Sequence, residues 1–322
     1  MPPVRSLFAT ILTLLSVHAT VHAAGDAGSC RYVPVAKVPI DFSDATRRAT
    51  IGGSINGTPV TLILDTGGYE TQLLPGTAER LGIALDQTGK HMYGVSGSSV
   101  LYEARLKDFA IGEKHFGKTR MHAIGAIAGN PGHAAIVGVD FLLQMDLELS
   151  LAGRYIQFLS ATGCDDTFLA YWDKDAMEVP FSGFEGPTRK PWVTVELNGV
   201  KLKAILDTGA PRTSVSRHAA ALAGITPDSP NVSKGRSSAG IGTELIATWQ
   251  ATFDSFAIGN ETIKNAELTV RDESSRGRGP VDVVLGVDFL RAHRILFAMS
   301  QQKLYLSYLG GDVFGPPHRA AQ

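Results

Sequence analysis

The sequence predicts an all-β protein made of two lobes related by internal duplication. Three observations predict it. Five landmarks occur twice in the same order, one of them is an Asn-Gly pair inside an alternating β-branched run, and glycine is plentiful (35 of 322 residues) while aromatics are sparse at 8%. A fixed internal repeat is read before any motif, because it decides what the folding unit is. Asn-Gly between alternating apolar residues signals a tight hairpin, since both central positions of the favoured turn need positive φ.

The repeat is clearest when KVPIDFSDATRRATIGGSINGTPVTLILDTG is laid over EVPFSGFEGPTRKPWVTVELNGVKLKAILDTG. Val38-Pro39 matches Val179-Pro180, and Asn56-Gly57 matches Asn198-Gly199. Asn56 stands nine residues before Asp65, and Asn198 nine before Asp207. FAIG at 109–112 returns at 256–259, and IVGVDFL at 136–142 returns as VLGVDFL at 284–290. This order places one lobe over 31–162, a polar joint over 163–171 around TGCDDT, a second lobe over 172–310 and a tail over 311–322. A short helix-like stretch follows each DTG (TAERLGI and RHAAALAGI), and another short helix is expected at each GVDFL.

The N-terminus bears on destination. Arg5 precedes the apolar stretch LFATILTLLSV at 7–17, and VHA at 21–23 supplies small residues at a cleavage site. This is a secretory signal pattern over residues 1–23, with cleavage after Ala23 and a periplasmic or secreted product. The apolar run falls short of the ~20 residues a spanning helix needs, so no membrane span is expected in the mature chain. A formal net charge of −1 gives no bias toward nucleic acid. Two cysteines, Cys30 and Cys164, allow one intramolecular pairing, and an oxidising compartment favours it.

Each lobe runs an apolar strand into a carboxylate: LILDTGG at 62–68 and AILDTGA at 204–210. A buried, unpaired carboxylate is costly. Two of them related by duplication can meet across a pseudo-two-fold axis and share one proton, leaving one carboxyl protonated and one charged. Such a pair activates a water against a peptide carbonyl, and one site then needs both copies. No cofactor and no metal ligand set is read from the sequence. The nine histidines lack any paired metal spacing. GEKHFGKT at 112–119 spells a phosphate loop, but no clean helix follows it, so it is rejected. Three sequons, at Asn56, Asn231 and Asn260, are read as unmodified asparagines.

The two DTG segments, each followed by a hydrophobic-hydrophobic-Gly element, resemble the retropepsin-like aspartic proteases, here fused in tandem so that one chain supplies both halves of the usual dimer. The resemblance implies retropepsin-like or pepsin-like acid protease lobes, an endopeptidase acting on peptide or protein substrates, and a monomer. It assigns Asp65 and Asp207 as the catalytic dyad. Thr66 and Thr208 would brace the dyad across the lobes, and Gly67 and Gly209 would let the backbone approach the carboxylates. Flap tips over the cleft would be Tyr93, Gly94 and Val95 in YGVSGSS, and Gly240 and Ile241 in SAGIGT. Asp140 and Asp288 in the GVDFL segments are read as helix-start or turn residues. RDESSRGRGPVD at 271–282 is read as a solvated loop, with self-cleavage there as the alternative. A non-catalytic peptide-binding module that kept the fold is the rival reading. Neither Gly68 nor Ala210 offers the hydroxyl that pepsin-type enzymes place after DTG, so activity is expected in weakly acidic to near-neutral conditions.

Overall fold

A computed structural model describes residues 29–42, 48–94, 97–127, 132–185, 189–237, 245–272 and 281–314. The expected signal segment, Val95, Gly240, Ile241, most of the 271–282 stretch and most of the tail lie outside these residues. Among the described residues no helix is long and apolar enough to cross a membrane.

Both Asn-Gly pairs make the hairpins their residues encode. Thr50–Ile55 pairs with Thr58–Leu64, and Lys190–Leu197 with Val200–Leu206. The turns put Asn56 and Gly57 at φ 52° and 81°, and Asn198 and Gly199 at 50° and 79°. This doubly left-handed geometry twists with the strands, and Asn and Gly tolerate it best. Each Asn side chain is also occupied. Asn56 Oδ1 accepts from Lys107 N at 2.7 Å, and Asn198 Nδ2 donates to Ala223 O at 3.0 Å.

From each hairpin the same neighbours follow. In the first half Thr58–Leu64 runs parallel to Ala135–Val137, which pairs antiparallel with Gln72–Leu73, itself parallel to Thr119–Ile124. In the second half Val200–Leu206 runs parallel to Val283–Leu285, then antiparallel Ser214–Ser216, then parallel Glu261–Arg271. A second hairpin closes each series: Leu85–Gly94 with Gly97–Leu106, and Val232–Lys234 with Thr248–Ile258. The duplication therefore holds strand by strand. Short helices follow as expected at Thr77–Arg80, Val139–Leu142, Arg217–Leu222 and Val287–Leu290. Ser216 caps the third of these, accepting from Ala219 N at 3.0 Å. The phosphate-loop look-alike is a β-hairpin, Phe109–Ile111 with Lys114–His115, which has no helix to receive a phosphate.

A sheet common to both halves holds them together. Its order is Met177–Pro180, Lys303–Tyr308, His293–Ala298, Asp146–Ser150, Tyr155–Thr162 and Arg31–Asp41. The two halves meet at its middle, where Leu147 faces Phe297 and Leu149 faces Ile295. All four are buried. The joint between the halves is less polar than its TGCDDT letters imply. Leu169 and Ala170 are buried under this sheet with Cys164, Leu296 and Tyr305, because the apolar end of the joint finds the sheet's open face. Cys30 and Cys164 form the expected disulfide, with Cα atoms 4.5 Å apart.

The bond ties ends 134 residues apart. A loop that long restricts the unfolded chain by up to ~5 kcal/mol in the chain-entropy model. The double variant Cys30→Ser/Cys164→Ser is expected to melt several degrees below wild type, and alkylation of the denatured, unreduced protein should find no thiol. An unchanged melting temperature would mean the bond adds nothing to the fold.

Candidate active site

The two apolar strands stop on Asp65 and Asp207 because each is caught there by its parallel neighbour. Asp65 N donates to Val137 O at 3.0 Å, and Asp207 N to Leu285 O at 2.9 Å. The next residue of each neighbour is a glycine that the chain after DTG crosses closely. A Cβ on Gly138 would lie 2.8 Å from the Glu70 carbonyl carbon, and one on Gly286 would strike the Arg212 backbone. The hydrophobic-hydrophobic-Gly element is thus a steric requirement of the DTG loop.

Between the halves the threonines cross. Thr66 Oγ1 donates to Leu206 O at 2.9 Å and accepts from Thr208 N at 3.1 Å. Thr208 Oγ1 donates to Leu64 O at 2.7 Å and accepts from Thr66 N at 3.0 Å. Both threonines are 2% exposed. Each hydroxyl therefore satisfies one donor and one acceptor of the other half, groups that no water reaches.

The glycines come next, and each lies against the aspartate of the opposite half. A Cβ on Gly209 would stand 2.7 Å from Asp65 Cγ, and one on Gly67 would collide with the Asp207 carboxyl. Asp207 Oδ1 accepts from Gly209 N at 2.7 Å and Ala210 N at 3.1 Å. Both aspartates keep partial solvent exposure, but Asp65 Oδ1 is enclosed and has no hydrogen-bond partner among the described residues. Burial, then the neighbouring charge of Asp207, pushes the Asp65 carboxyl up to about 7, against the opposing pull of Lys190. The arrangement is two carboxyls, each packed against the loop that carries the other.

These two halves match two family models. Residues 51–144 match a gag-polyprotein putative aspartyl protease, and residues 193–289 match an aspartyl protease family, each match containing one DTG near its start. The chain is a retropepsin-like aspartic protease. Its fold agrees with that of the aspartic proteinase from Irpex lacteus, at a TM-score of 0.52 and 14% identity, over 85% of this chain and 97% of that one. No curated protein matches the sequence.

The other sequence candidates distribute as follows. Tyr93 and Gly94 end a hairpin, paired with Ser98 and Gly97, and Tyr93 is 63% exposed. Their proposed companions Val95, Gly240 and Ile241 fall outside the described residues. Asp140 and Asp288 lie in the first turns of their helices, as expected, and each Oδ1 accepts a helix-start amide, from Phe141 N at 3.0 Å and Phe289 N at 2.9 Å. They also clamp the loop that follows DTG. Asp140 Oδ1 accepts from Thr71 N at 2.9 Å and Thr71 Oγ1 at 2.6 Å, and Asp288 Oδ1 accepts from Thr213 N and Oγ1 at 2.7 Å each. Burial raises both carboxyls, and the threonine bonds oppose it.

Sequence reasoning passed over three residues of this protease's site. Thr71 and Thr213 sit six residues beyond their aspartates in both halves, so the repeat itself carried that signal. Lys190 was the third. It is 3% exposed, its Nζ donates to Gly67 O, and it lies 4.1 Å from the centroid of the Tyr69 ring.

Removing one threonine hydroxyl strands a buried N–H and a buried C=O of the other half, at about 1–3 kcal/mol each. Thr66→Ala is therefore expected to lower unfolding free energy in urea by about 2–5 kcal/mol, while Thr66→Ser retains most of it. A Thr66→Ala variant as stable as wild type would show that the crossing does not hold the halves.

Proposed function

We propose that Asp65 and Asp207 act as one dyad that hydrolyses internal peptide bonds of exported proteins. The observation that carries this reading is the crossed contact of each aspartate with the glycine of the opposite half. Charge rests on Asp207, whose Oδ1 receives two backbone N–H groups, while the enclosed Asp65 keeps the shared proton. The charged carboxylate takes a proton from a water as that water attacks the scissile carbonyl carbon. The protonated Asp65 gives its proton to the developing oxyanion. In the collapse of the tetrahedral species the proton held by Asp207 passes to the leaving amine, and the C–N bond breaks. The oxyanion's proton returns to Asp65 as the new carboxyl forms. The dyad ends as it began, and neither an added nucleophile nor a redox partner takes part.

Both carboxyls come from one chain, so a monomer suffices. The N-terminal pattern supports export to a periplasmic or extracellular space, and the Cys30–Cys164 bond supports an oxidising compartment. Tyr93 and Gly94, at the end of the strand Leu85–Gly94, are the proposed substrate-covering residues, with Val95, Gly240 and Ile241 as their companions.

The test is digestion of a quenched-fluorescence peptide library by wild type, Asp65→Asn and Asp207→Asn. Each substitution should reduce kcat/KM by about 10²–10⁴-fold or more, and the double variant should be no worse than either single one. A single variant that cleaves like wild type would rule out a shared proton.

A stability signature accompanies this. The folded Asp65 carboxyl is raised above its unfolded value of 3.8. The native state therefore holds a proton that the unfolded chain has released. Its stabilising contribution is complete below pH 3.8 and is lost as pH rises through about 7. Asp65→Asn removes that loss, so it should melt above wild type at pH 8 and show a smaller gain at pH 5. Parallel melting curves at the two pH values would expose a carboxyl that titrates normally.

A further inference from the structure

We infer that Lys190 is a positioning residue that holds a fixed positive charge beside Asp65 and thereby sets the upper pH at which the dyad keeps its shared proton. The inference rests on the dyad reading above. A lysine is almost never fully buried unless its ammonium is paired. Lys190 opens the strand Lys190–Leu197 of the second half, yet its Nζ reaches the loop of the first. It donates to Gly67 O and stands over the face of Tyr69, both within DTGGY. The carbonyl and the ring face each favour a cation, so the charge is retained there.

That charge acts at short range and in a partly desolvated site, where Coulomb interactions are stronger than in water. Asp207, just past the end of Val200–Leu206, and Lys190 both act on Asp65. They act in opposite senses. Asp207 favours keeping the proton on Asp65, and Lys190 favours its release. Without the lysine, a charge that offsets the burial and the neighbouring carboxylate is lost. An apolar side chain of similar length would fill the same space with no desolvation cost, so packing alone does not call for a lysine.

The sign follows directly. Loss of the second proton of the dyad ends activity on the alkaline side. Removing a cation beside Asp65 makes that proton harder to lose, so the alkaline limb moves up. The experiment measures kcat/KM against pH for Lys190→Met and Lys190→Arg on a quenched peptide that wild type cleaves, with Asp65→Asn in the same series. Lys190→Met should shift the alkaline limb upward by about one pH unit, and Lys190→Arg should leave it at the wild-type position. A Lys190→Met enzyme that is slower but keeps the wild-type limb overturns the inference, because a structural role lowers activity without moving a titration. If Asp65→Asn is inert while the limb of Lys190→Met stays put, the lysine reading alone fails; if Asp65→Asn is active, the dyad reading fails first. Should Lys190→Met not fold, Lys190→Gln, which keeps a donor for Gly67 O, carries the same reading. Failure of both to fold assigns the lysine to the fold and overturns the inference.

Discussion

Two hydroxyl groups decide where the rest of this molecule goes. Thr66 and Thr208 each reach across the pseudo-two-fold axis, donate to a carbonyl and accept an amide of the other half. Neither half can satisfy those backbone groups alone, and water is shut out of the crossing. The aspartates before them and the glycines after them are then fixed to within the length of one residue. Distance between the carboxyls is a by-product of hydrogen-bond geometry two bonds away. The steric demand for glycine at 67, 138, 209 and 286 follows from the same convergence, because four chain segments pass through a space that has no room for a Cβ.

A duplicated frame does not yield a symmetric centre. The residues one step further from the axis differ: Gly68, Tyr69 and Glu70 in the first half stand where Ala210, Pro211 and Arg212 stand in the second. Lys190 corresponds to Arg48 in the repeat, so a basic residue recurs at that position. In the second half that residue is a lysine aimed at the first half's loop. Two equal carboxyls would compete for one proton. Their surroundings are unequal, with two amides on Asp207 and an enclosed oxygen on Asp65.

What could be read from the letters was whatever the chain builds locally. Asn56-Gly57 and Asn198-Gly199 announce their turns because the needed φ values are written into those two residue types. The alternation beside them announces strands in the same way. The duplication added long-range information, since two copies of an apolar strand ending on aspartate make sense only if they meet. The misses all depend on residues far apart in sequence. The partner of Thr71 is 69 residues away, and that of Lys190 is 123. Leu147 meets Phe297 through a sheet that neither half contains alone. A lysine at the start of a strand reads as solvated until the ring above it is known to come from the other lobe. Likewise Asp140 and Asp288 read as helix-start residues because those bonds are local, and their second task, gripping a distant loop, shows only in the fold.

The sheet common to both halves has a consequence in time. Its middle pairing needs His293–Ala298, close to the far end of the chain, while its edge at Arg31–Asp41 lies near the beginning. A polypeptide emerging from its N-terminus displays Asp65 when nothing yet exists to oppose it. The first half can close its hairpins and bond Cys30 to Cys164, but it then holds a lone acid and an unmatched hydroxyl. Competence as a hydrolase is thus the last property the nascent chain acquires, after the final hairpin docks. Until then it is harmless to itself and to its neighbours, a delay imposed by chain order and topology.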